Sequence, residues 1–256
     1  MEDYKKQLAL TLAETEALFF DRDLILKDGR PTPYFVNMAM FKTGRLALEM
    51  GSFFAGMMIS RDLVRDTDII VGPSYKGSAI AMATVISLWK DHGQELFFDY
   101  DRKEAKTHGE ATASGSMFVN GTFFDGCRIF IVDDVATSMT TKYELLEKIG
   151  AEERARGATC YVVGIGIGID REQADPVYDE EGGIIPGRTG PNAIARFVFE
   201  TGISVHSVAG IREVVEYLYQ EKVPVMVHGK RRPLDRKTKA EFDEYISIYG
   251  VDGDIT

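Results

Sequence analysis

Two adjacent carboxylates, Asp133 and Asp134, are followed by a run of small and hydroxyl-bearing residues, a combination that suits a phosphorylated sugar. The apolar residues 129–132 before them are typical of a short buried strand, and a helical pattern follows the run. The turn between strand and helix would place backbone N–H groups and hydroxyls at a helix N-terminus, where phosphates bind readily. The carboxylates would repel a bare phosphate but accept hydrogen bonds from sugar hydroxyls. Residues 128–141 therefore predict a site for a phosphorylated ribose.

A second group of candidate residues is cationic. The polar segment 101–116 has neither helical nor strand periodicity, and structureless loops of such length are usually functional or disordered. It gathers cations and a histidine in a chain of net charge −10: Arg102, Lys103, Lys106 and His108. A solvated charge run is the plain interpretation. The contrast with the acidic remainder of the chain favours a mobile flap that closes over a polyanion.

The order of predicted elements explains how these groups could meet. Strands alternate with helices, which is the pattern of an α/β fold with a central, mostly parallel sheet flanked by helices. A strand at 68–71 ends in a glycine-bearing turn with Tyr75 and Lys76, and a strand at 158–169 ends just before Arg171. Ligands of such sheets bind outside the carboxyl ends of the strands. We therefore expect Arg171 to lie at the same edge as the two carboxylates.

Three further segments give local expectations. Residues 4–20 have a helical pattern. The helix predicted over 78–91 is apolar nearly all round, so we expect it to be deeply buried. Residues 173–192 are rich in glycine and proline and predict an inserted surface loop, with a hairpin around 181–183.

Composition and charge exclude several classes of function. The chain has 256 residues, 45% of them hydrophobic and 27% charged, and we expect one domain over residues 1–256 with a flexible loop at about 101–117. A pI of about 5.0 argues against a nucleic-acid partner. No apolar run reaches membrane-spanning length and no signal peptide is visible, so we expect a cytoplasmic protein with no membrane partner. Cys127 and Cys160 are then expected to be reduced thiols.

Several segments, taken together, resemble one enzyme family. Ile-Val-Asp-Asp-Val-Ala-Thr at 131–137 resembles the phosphoribosyl-diphosphate (PRPP) signature of type I phosphoribosyltransferases, although alone it also fits purine and uracil salvage enzymes. Further segments resemble orotate phosphoribosyltransferases and occur in that family's order: 26–30, 33–37, 72–77, 102–110 and 170–172. The resemblance implies a type I phosphoribosyltransferase fold with a small hood built from the N-terminal and C-terminal parts of the chain and a flexible catalytic loop.

The resemblance also implies a reaction and residue roles. Orotate and PRPP would give orotidine 5′-monophosphate and diphosphate in pyrimidine (UMP) biosynthesis. Asp133 and Asp134 would hold the ribose hydroxyls, and Arg171 the orotate carboxylate. The implied donor-binding loop consists of Val135, Ala136, Thr137, Ser138, Met139, Thr140 and Thr141. The base pocket would be lined by Lys27, Phe35 and Val36. The diphosphate would be neutralised by Lys76, Arg102, Lys103 and Lys106, with Tyr75 as a further substrate-binding residue and His108 assisting at the leaving group.

A cofactor and a partner follow from the same resemblance. Mg²⁺ would be held mainly by the PRPP diphosphate and water, so no residue of the chain is expected to be a dedicated metal ligand. Members of the family are homodimers in which the flap reaches the neighbouring subunit's site. Lys103, Lys106 and His108 would then act in trans.

The sequence departs from the family pattern at two places. The family's phosphate loop usually runs Thr-Ala-Gly-Thr, whereas this chain has methionine at position 139. Glycine there permits a positive φ, so we expect either a negative φ at Met139 or weaker phosphate binding. The second departure is Phe35-Val36, where the family commonly has two phenylalanines.

Two alternatives remain open on sequence. One is another type I phosphoribosyltransferase, for uracil or a purine, and Arg171 argues against it. The other is a non-catalytic nucleotide sensor on the same fold, which Met139 favours and the intact flap opposes.

By pattern alone, Lys27 is a solvated lysine at the mouth of a turn formed by Asp28 and Gly29 between two strands.

Overall fold

Helices and strands alternate along most of the chain in the computed structural model, which describes residues 1–103, 116–135 and 139–251. The helices of these residues are α1 (Asp3–Glu14), α2 (Gly44–Ser60), α3 (Lys76–His92), α4 (Thr140–Arg156), α5 (Ala193–Thr201), α6 (Ile211–Gln220) and α7 (Arg236–Tyr249). The strands are β1 (Leu18–Ile25), β2 (Pro31–Val36), β3 (Ile69–Gly72), β4 (Phe97–Tyr100), β5 (Cys127–Val135), β6 (Cys160–Asp170), β7 (Pro176–Tyr178), β8 (Ile184–Thr189), β9 (Val205–Gly210), β10 (Val225–Val227) and β11 (Lys230–Arg232). None of these helices is both long and apolar enough to cross a membrane.

Five strands form a central sheet in the order β4-β3-β5-β6-β9, and every neighbouring pair is parallel. Successive residues of β5 face opposite sides of this sheet. Phe130 packs with α1, α2, α3 and α6, whereas Ile129 and Ile131 pack with α4 and α5. Both faces are covered, which explains the continuous apolar run in this strand. The predicted α/β fold is confirmed, and the carboxyl ends of β3, β5 and β6 meet at one edge.

A second sheet, in the order β11-β10-β1-β2, brings together the N-terminal and C-terminal parts of the chain. Helix α7 packs on it through buried aromatic rings. The ring of Phe242 lies 5.2 Å from that of Tyr34 and 6.3 Å from that of Phe20. This sheet and α7 form the expected hood.

The first predicted helix is too long, because α1 ends at Glu14 and residues 18–20 belong to β1. Glu16 has a φ of 57°, which lies outside the right-handed helical region and stops the helix. Leu18 and Phe20 are buried while Phe19 between them is only half-buried, the alternation of a strand. Phe19 therefore pairs with Phe35 across β1 and β2 and does not continue a helical face.

Helix α3 is buried on one side only, so the expectation of a deeply buried helix is wrong. Its inner residues pack against α2 and the central sheet. On its other side Met82 is 44% exposed, Ile86 43% and Trp89 59%. These three residues, spaced by four and three positions, form an apolar stripe that we call the α3 outer face. An apolar sequence does not distinguish burial within one chain from burial against another chain.

The inserted segment forms the predicted hairpin, because β7 and β8 pair antiparallel around residues 179–183. It packs against the hood at two points. Tyr178 Oη donates to the carbonyl of Asp28 at 3.2 Å, and the N–H of Gly187 donates to Tyr249 Oη at 3.2 Å. The hairpin thereby stands beside the carboxyl edge of the central sheet.

Candidate active site

A cavity of about 740 Å³ opens at the carboxyl edge of the central sheet, between that sheet and the hood. The hairpin supplies one wall through Pro176 and Tyr178. The sequence-predicted residues that line the cavity are Lys27, Phe35, Val36, Lys76, Asp134, Val135 and Arg171. Groups from separate stretches of sequence therefore meet in one place. The volume lies in the range of small-molecule sites.

The two carboxylates at the end of β5 have different surroundings. Asp134 lines the cavity, and its Oδ2 lies 2.6 Å from Nζ of Lys76 at the start of α3. Asp133 is only 8% exposed, and its Oδ2 lies 2.6 Å from Nζ of Lys142 in α4. Burial raises the pKa of Asp133; Lys142 opposes this rise and Asp134 adds to it. Each carboxylate thus has its own lysine partner.

Lys142 is a residue that the sequence analysis missed. It lies on the buried side of α4 together with Leu145 and Ile149. The sequence carries a signal for it, because this lysine stands at a helical spacing of apolar residues and in the first turn of a helix, where the helix dipole disfavours a cation. A lysine in such a position requires a nearby carboxylate.

Asp101 anchors the turn before α3 through a hydrogen bond and an ion pair. Its Oδ1 accepts a hydrogen bond from the N–H of Ser74 at 2.5 Å, and its Oδ2 pairs with Nζ of Lys148 in α4. Asp101 is 6% exposed, so this contact is shielded from water. The turn that carries Lys76 is therefore anchored to both α4 and the end of β4.

The flap begins next to the same turn. The N–H of Arg102 donates to the carbonyl of Met117 at 2.6 Å, which holds the two described ends of this segment together. Nζ of Lys103 lies 4.9 Å from the centroid of the Tyr75 ring. Arg102, Lys103, Tyr75 and Lys76 are thus neighbouring groups at one side of the site. The other predicted flap residues, Lys106 and His108, lie outside the described residues.

Arg171, directly after β6, has an unusual guanidinium group. Its Nε and Nη2 are buried and have no hydrogen-bond partner within the described part of the chain. Its Cζ lies 5.3 Å from the centroid of the Tyr34 ring, and burial raises the pKa of Tyr34 to about 12. Buried N–H groups of a cation are costly to leave unpaired. A planar donor fork in a cavity is suited to a carboxylate of a ligand.

The opposite wall comes from the hood. The predicted turn at Asp28 and Gly29 is confirmed: the N–H of Gly29 donates to the carbonyl of Leu26 at 2.8 Å, and Gly29 has a φ of 88°. Lys27 is exposed to solvent but also lines the cavity, so its position is compatible with either interpretation of this lysine. Phe35 and Val36 at the end of β2 supply the apolar part of this wall.

The phosphate loop corrects one expectation, because Met139 has a φ of 59° and a ψ of 1°. It adopts the left-handed conformation that a glycine would adopt at this position. The expectation of a negative φ at Met139 is therefore wrong. The side chain is 2% exposed and packs in the apolar cluster with α4 and α5, which offsets the backbone strain. Met139 lies directly before α4, and the first turn of α4 carries the predicted residues Thr140 and Thr141. Ala136, Thr137 and Ser138 lie outside the described residues.

A pair of substitutions at Met139 isolates the backbone strain. Both Met139→Gly and Met139→Ala remove the buried side chain, but only alanine keeps a Cβ in the left-handed conformation. We expect the glycine variant to have the higher free energy of unfolding in urea, by about 1 kcal/mol. At the helical position Leu145 the order should reverse, with alanine more stable than glycine by roughly 1 kcal/mol. Equal stabilities of the two Met139 variants would contradict the strain.

Comparisons with known proteins place this chain in a family. No protein-family model matches the chain. The orotate phosphoribosyltransferase of Methylococcus capsulatus is 34% identical over 251 residues, covering 98% of this chain and 100% of that protein. The orotate phosphoribosyltransferase of Bifidobacterium adolescentis is 32% identical over 209 residues, covering 80% and 81%.

Solved structures agree on the fold. The crystal structure of the Francisella tularensis orotate phosphoribosyltransferase matches with a TM-score of 0.70 at 23% identity, covering 95% of this chain and 98% of that one. The fold is therefore shared, and the extent and identity of the sequence matches show that the chain belongs to the orotate phosphoribosyltransferase family.

Proposed function

We propose that this protein transfers the 5-phosphoribosyl group of PRPP to orotate, forming orotidine 5′-monophosphate and diphosphate for UMP synthesis. The observation that carries the proposal is the buried guanidinium of Arg171, with Nε and Nη2 unpaired within the described chain, in one cavity with Asp134 and Lys76. Orotate supplies a carboxylate for Arg171. PRPP supplies ribose hydroxyls for Asp134 and a diphosphate for Lys76. Uracil and the purines lack that carboxylate, and the relatives do not favour a non-catalytic sensor.

The ribose is the centre of the reaction. The bond between its anomeric carbon and the diphosphate breaks, a ring nitrogen of orotate forms the new bond, and positive charge builds on the sugar in between. Asp133 and Asp134 stand at the end of β5, where they would accept hydrogen bonds from the ribose hydroxyls. Holding the two reactants in line and stabilising the departing charge supplies most of the catalysis that such a site can offer.

The diphosphate would enter on the side of α3. Lys76, Arg102 and Lys103 lie there, and Tyr75 borders them. A diphosphate arriving at this position competes with Asp134 for the ammonium group of Lys76. Lys106 and His108 are proposed to complete this group of cations from the flap and to assist the departure of the diphosphate.

The 5′-phosphate would bind at the start of α4. Backbone N–H groups and hydroxyls at a helix N-terminus favour a phosphate, and Thr140 and Thr141 lie in that first turn. The proposed loop is completed by Val135, Ala136, Thr137, Ser138 and Met139. The left-handed conformation of Met139 supports normal phosphate binding, because the conformation that a glycine would permit is kept.

The acceptor would lie between Arg171 and the hood. Arg171 binds the carboxylate of orotate through its planar fork, and Lys27 is available to the polar edge of the ring. Phe35 and Val36 pack against the pyrimidine. This arrangement places the base on the far side of the ribose from the cations that receive the diphosphate.

Mg²⁺ is the metal ion that such a reaction uses, and the residues of the cavity fit an ion that arrives with the donor. Asp133 and Asp134, the carboxylates nearest the proposed ribose site, each pair with a lysine at 2.6 Å. When bound, the ion would neutralise part of the diphosphate charge. Asp134, which lines the cavity beside Lys76, is the carboxylate of this chain that could approach the ion.

The protein is further proposed to be a homodimer, and the α3 outer face supports this. Three large apolar side chains at 43% to 59% exposure on one helix are unusual on the surface of a monomer. Helix α3 begins at Lys76, and the α3 outer face begins six residues along it at Met82, roughly 9 Å away, so a dimer formed through this face would have its near end toward the diphosphate side of the site. This geometry is compatible with Lys103, Lys106 and His108 acting on the neighbouring subunit.

Trp89→Glu is expected to convert the dimer into a monomer, because it places a charge within the proposed interface. Sedimentation equilibrium should give twice the chain mass of 28.5 kDa for the unchanged protein and the single chain mass for the variant. Phe199→Glu is the matched control, since Phe199 is 90% exposed on α5. An unchanged protein that sediments as a monomer would overturn the proposal.

Action of the flap in trans has a separate test. Lys106→Ala and Asp134→Asn variants, each with strongly reduced activity alone, should regain part of the activity when mixed, because one site of the mixed dimer keeps both residues. Mixed dimers that exchange subunits without regaining activity would show that the flap acts within its own chain.

Two broader proposals concern the whole chain. The apolar cluster that joins Phe20 and Tyr34 of the hood to Phe130 of the central sheet supports one domain for residues 1–256. Cys127 and Cys160 are free although they are paired neighbours on β5 and β6, which supports a reducing compartment such as the cytoplasm.

A panel of acceptors tests the proposed reaction. The protein with PRPP and Mg²⁺ should release diphosphate with orotate and not with uracil, hypoxanthine or adenine. Release with a neutral base at the rate seen for orotate would reassign the acceptor.

A further inference from the structure

Lys142 occupies a position that is unfavourable for a lysine. It is the third residue of α4, where the positive end of the helix dipole repels a cation, and its side chain is only 3% exposed. Burying an ammonium group is strongly unfavourable unless it is paired. A methionine or leucine would fill this position on the buried side of α4 without that cost, so the charge itself needs an explanation.

The contacts of Lys142 supply one. Its Nζ lies 2.6 Å from Oδ2 of Asp133 and 3.3 Å from the carbonyl oxygen of Val135. The other oxygen of that carboxylate, Oδ1, accepts the N–H of Asp134 at 2.9 Å. Each oxygen of Asp133 therefore accepts one hydrogen bond and keeps the capacity to accept another, and the last residue of β5 is tied to the first turn of α4. These two elements flank the loop proposed to wrap the 5′-phosphate.

We propose that Lys142 is a positioning residue for phosphoribosyl transfer, which holds the Asp133 carboxylate and the end of β5 against the start of α4 so that PRPP meets a preformed site. This inference rests on the proposed function. Lys142 itself is not among the residues that line the cavity. It acts through Asp133 and through the two ends of the loop.

The charges around Asp133 predict how the loss of Lys142 would show itself. Lys142 faces Asp133 from α4, Asp134 is its neighbour on β5, and Lys76 of α3 pairs with Asp134. Burial and Asp134 raise the pKa of Asp133, and Lys142 opposes them. Without Lys142 the pKa rises further, so the carboxylate takes up a proton at a higher pH. Activity that needs the ionised carboxylate is then lost earlier as the pH falls.

The test compares Lys142→Met with Lys142→Arg. For Lys142→Met we expect kcat/KM for PRPP to fall roughly tenfold at neutral pH with the KM for orotate unchanged, since the donor side is misplaced. The acid limb of its pH profile should move to higher pH. Lys142→Arg should restore most of the activity, because it keeps the charge. Lys239→Met is the control: Lys239 is also largely buried, at 14% exposure, but lies on α7 and pairs with Asp243 and Glu216.

Two further measurements keep the inference separate from folding and from the proposed function. If Lys142→Met folds poorly, the double variant Asp133→Asn Lys142→Met should recover thermal stability, because it leaves no unpaired buried carboxylate. Calorimetry measures PRPP binding without an acceptor. Weaker PRPP binding by Lys142→Met than by the unchanged protein would therefore support the inference even if orotate is the wrong acceptor. A uniform loss of activity at every pH with unchanged PRPP binding would overturn the positioning role, and so would no loss at all.

Discussion

Arg171→Ala is expected to lower kcat/KM for orotate by about 10²- to 10³-fold, because the substrate carboxylate would enter a buried site without its cation. The buried Nε and Nη2 of this guanidinium have no partner in the described chain, which supports the proposal that they bind the substrate carboxylate. PRPP binding should change little, since Asp133, Asp134 and Lys76 remain. Steady-state kinetics with each substrate varied in turn measures both effects.

Two companion variants sharpen this result. Arg171→Lys should recover only a small part of the activity, because an ammonium group cannot present two parallel N–H donors. Arg196→Ala is the control, since Arg196 pairs with Asp175 at 3.3 Å near the hairpin but does not line the cavity. Full activity of Arg171→Ala with orotate would show that the carboxylate binds elsewhere.

Asp134→Asn is expected to lower kcat/KM for PRPP roughly 100-fold, because a charge-assisted hydrogen bond to the ribose is replaced by a neutral one. The Nζ of Lys76 also loses the carboxylate that lies 2.6 Å away in the ligand-free protein. The KM for orotate should stay close to that of the unchanged protein. The loss should appear both in the binding of PRPP and in kcat, because Asp134 would hold the ribose hydroxyls in the ground state and interact more strongly as positive charge builds on the sugar in the transition state.

Asp175→Asn is the matched control for that variant. Asp175 lines the same cavity from the hairpin side and pairs with Arg196, away from the end of β5. It should therefore keep most of its activity toward PRPP. Equal losses in the two aspartate variants would indicate that overall negative charge in the cavity matters, and not the position of the carboxylate at the end of β5.

The fold was predictable where local pattern and global topology agree. The strands predicted at 129–132 and 158–169 were visible as apolar runs, and the parallel sheet then placed Asp134, Lys76 and Arg171 at one edge. The pattern was insufficient for residues 15–20, where a left-handed residue at Glu16 ends the helix. It was also insufficient for α3, whose exposed apolar stripe depends on what lies outside the chain.

The sequence indicated which residues form the candidate site but not how they pair. The carboxylate role of Arg171 followed from the family resemblance. Residue types and spacing indicated which side chains could bind a phosphorylated ribose. They did not indicate that Asp133 pairs with Lys142, because such a contact depends on how α4 packs against the end of β5. Met139 shows the same limitation. Its left-handed backbone is stabilised by the burial of its side chain against residues distant in sequence, which no local pattern shows.

The most direct measurement mixes the purified protein with PRPP, Mg²⁺ and orotate and follows the ultraviolet absorbance of orotate. The absorbance should fall with time, in proportion to the protein added, and only when PRPP is present. No change at high protein concentration, with PRPP shown by calorimetry to bind, would contradict the account and leave a protein that recognises the donor without transferring its phosphoribosyl group.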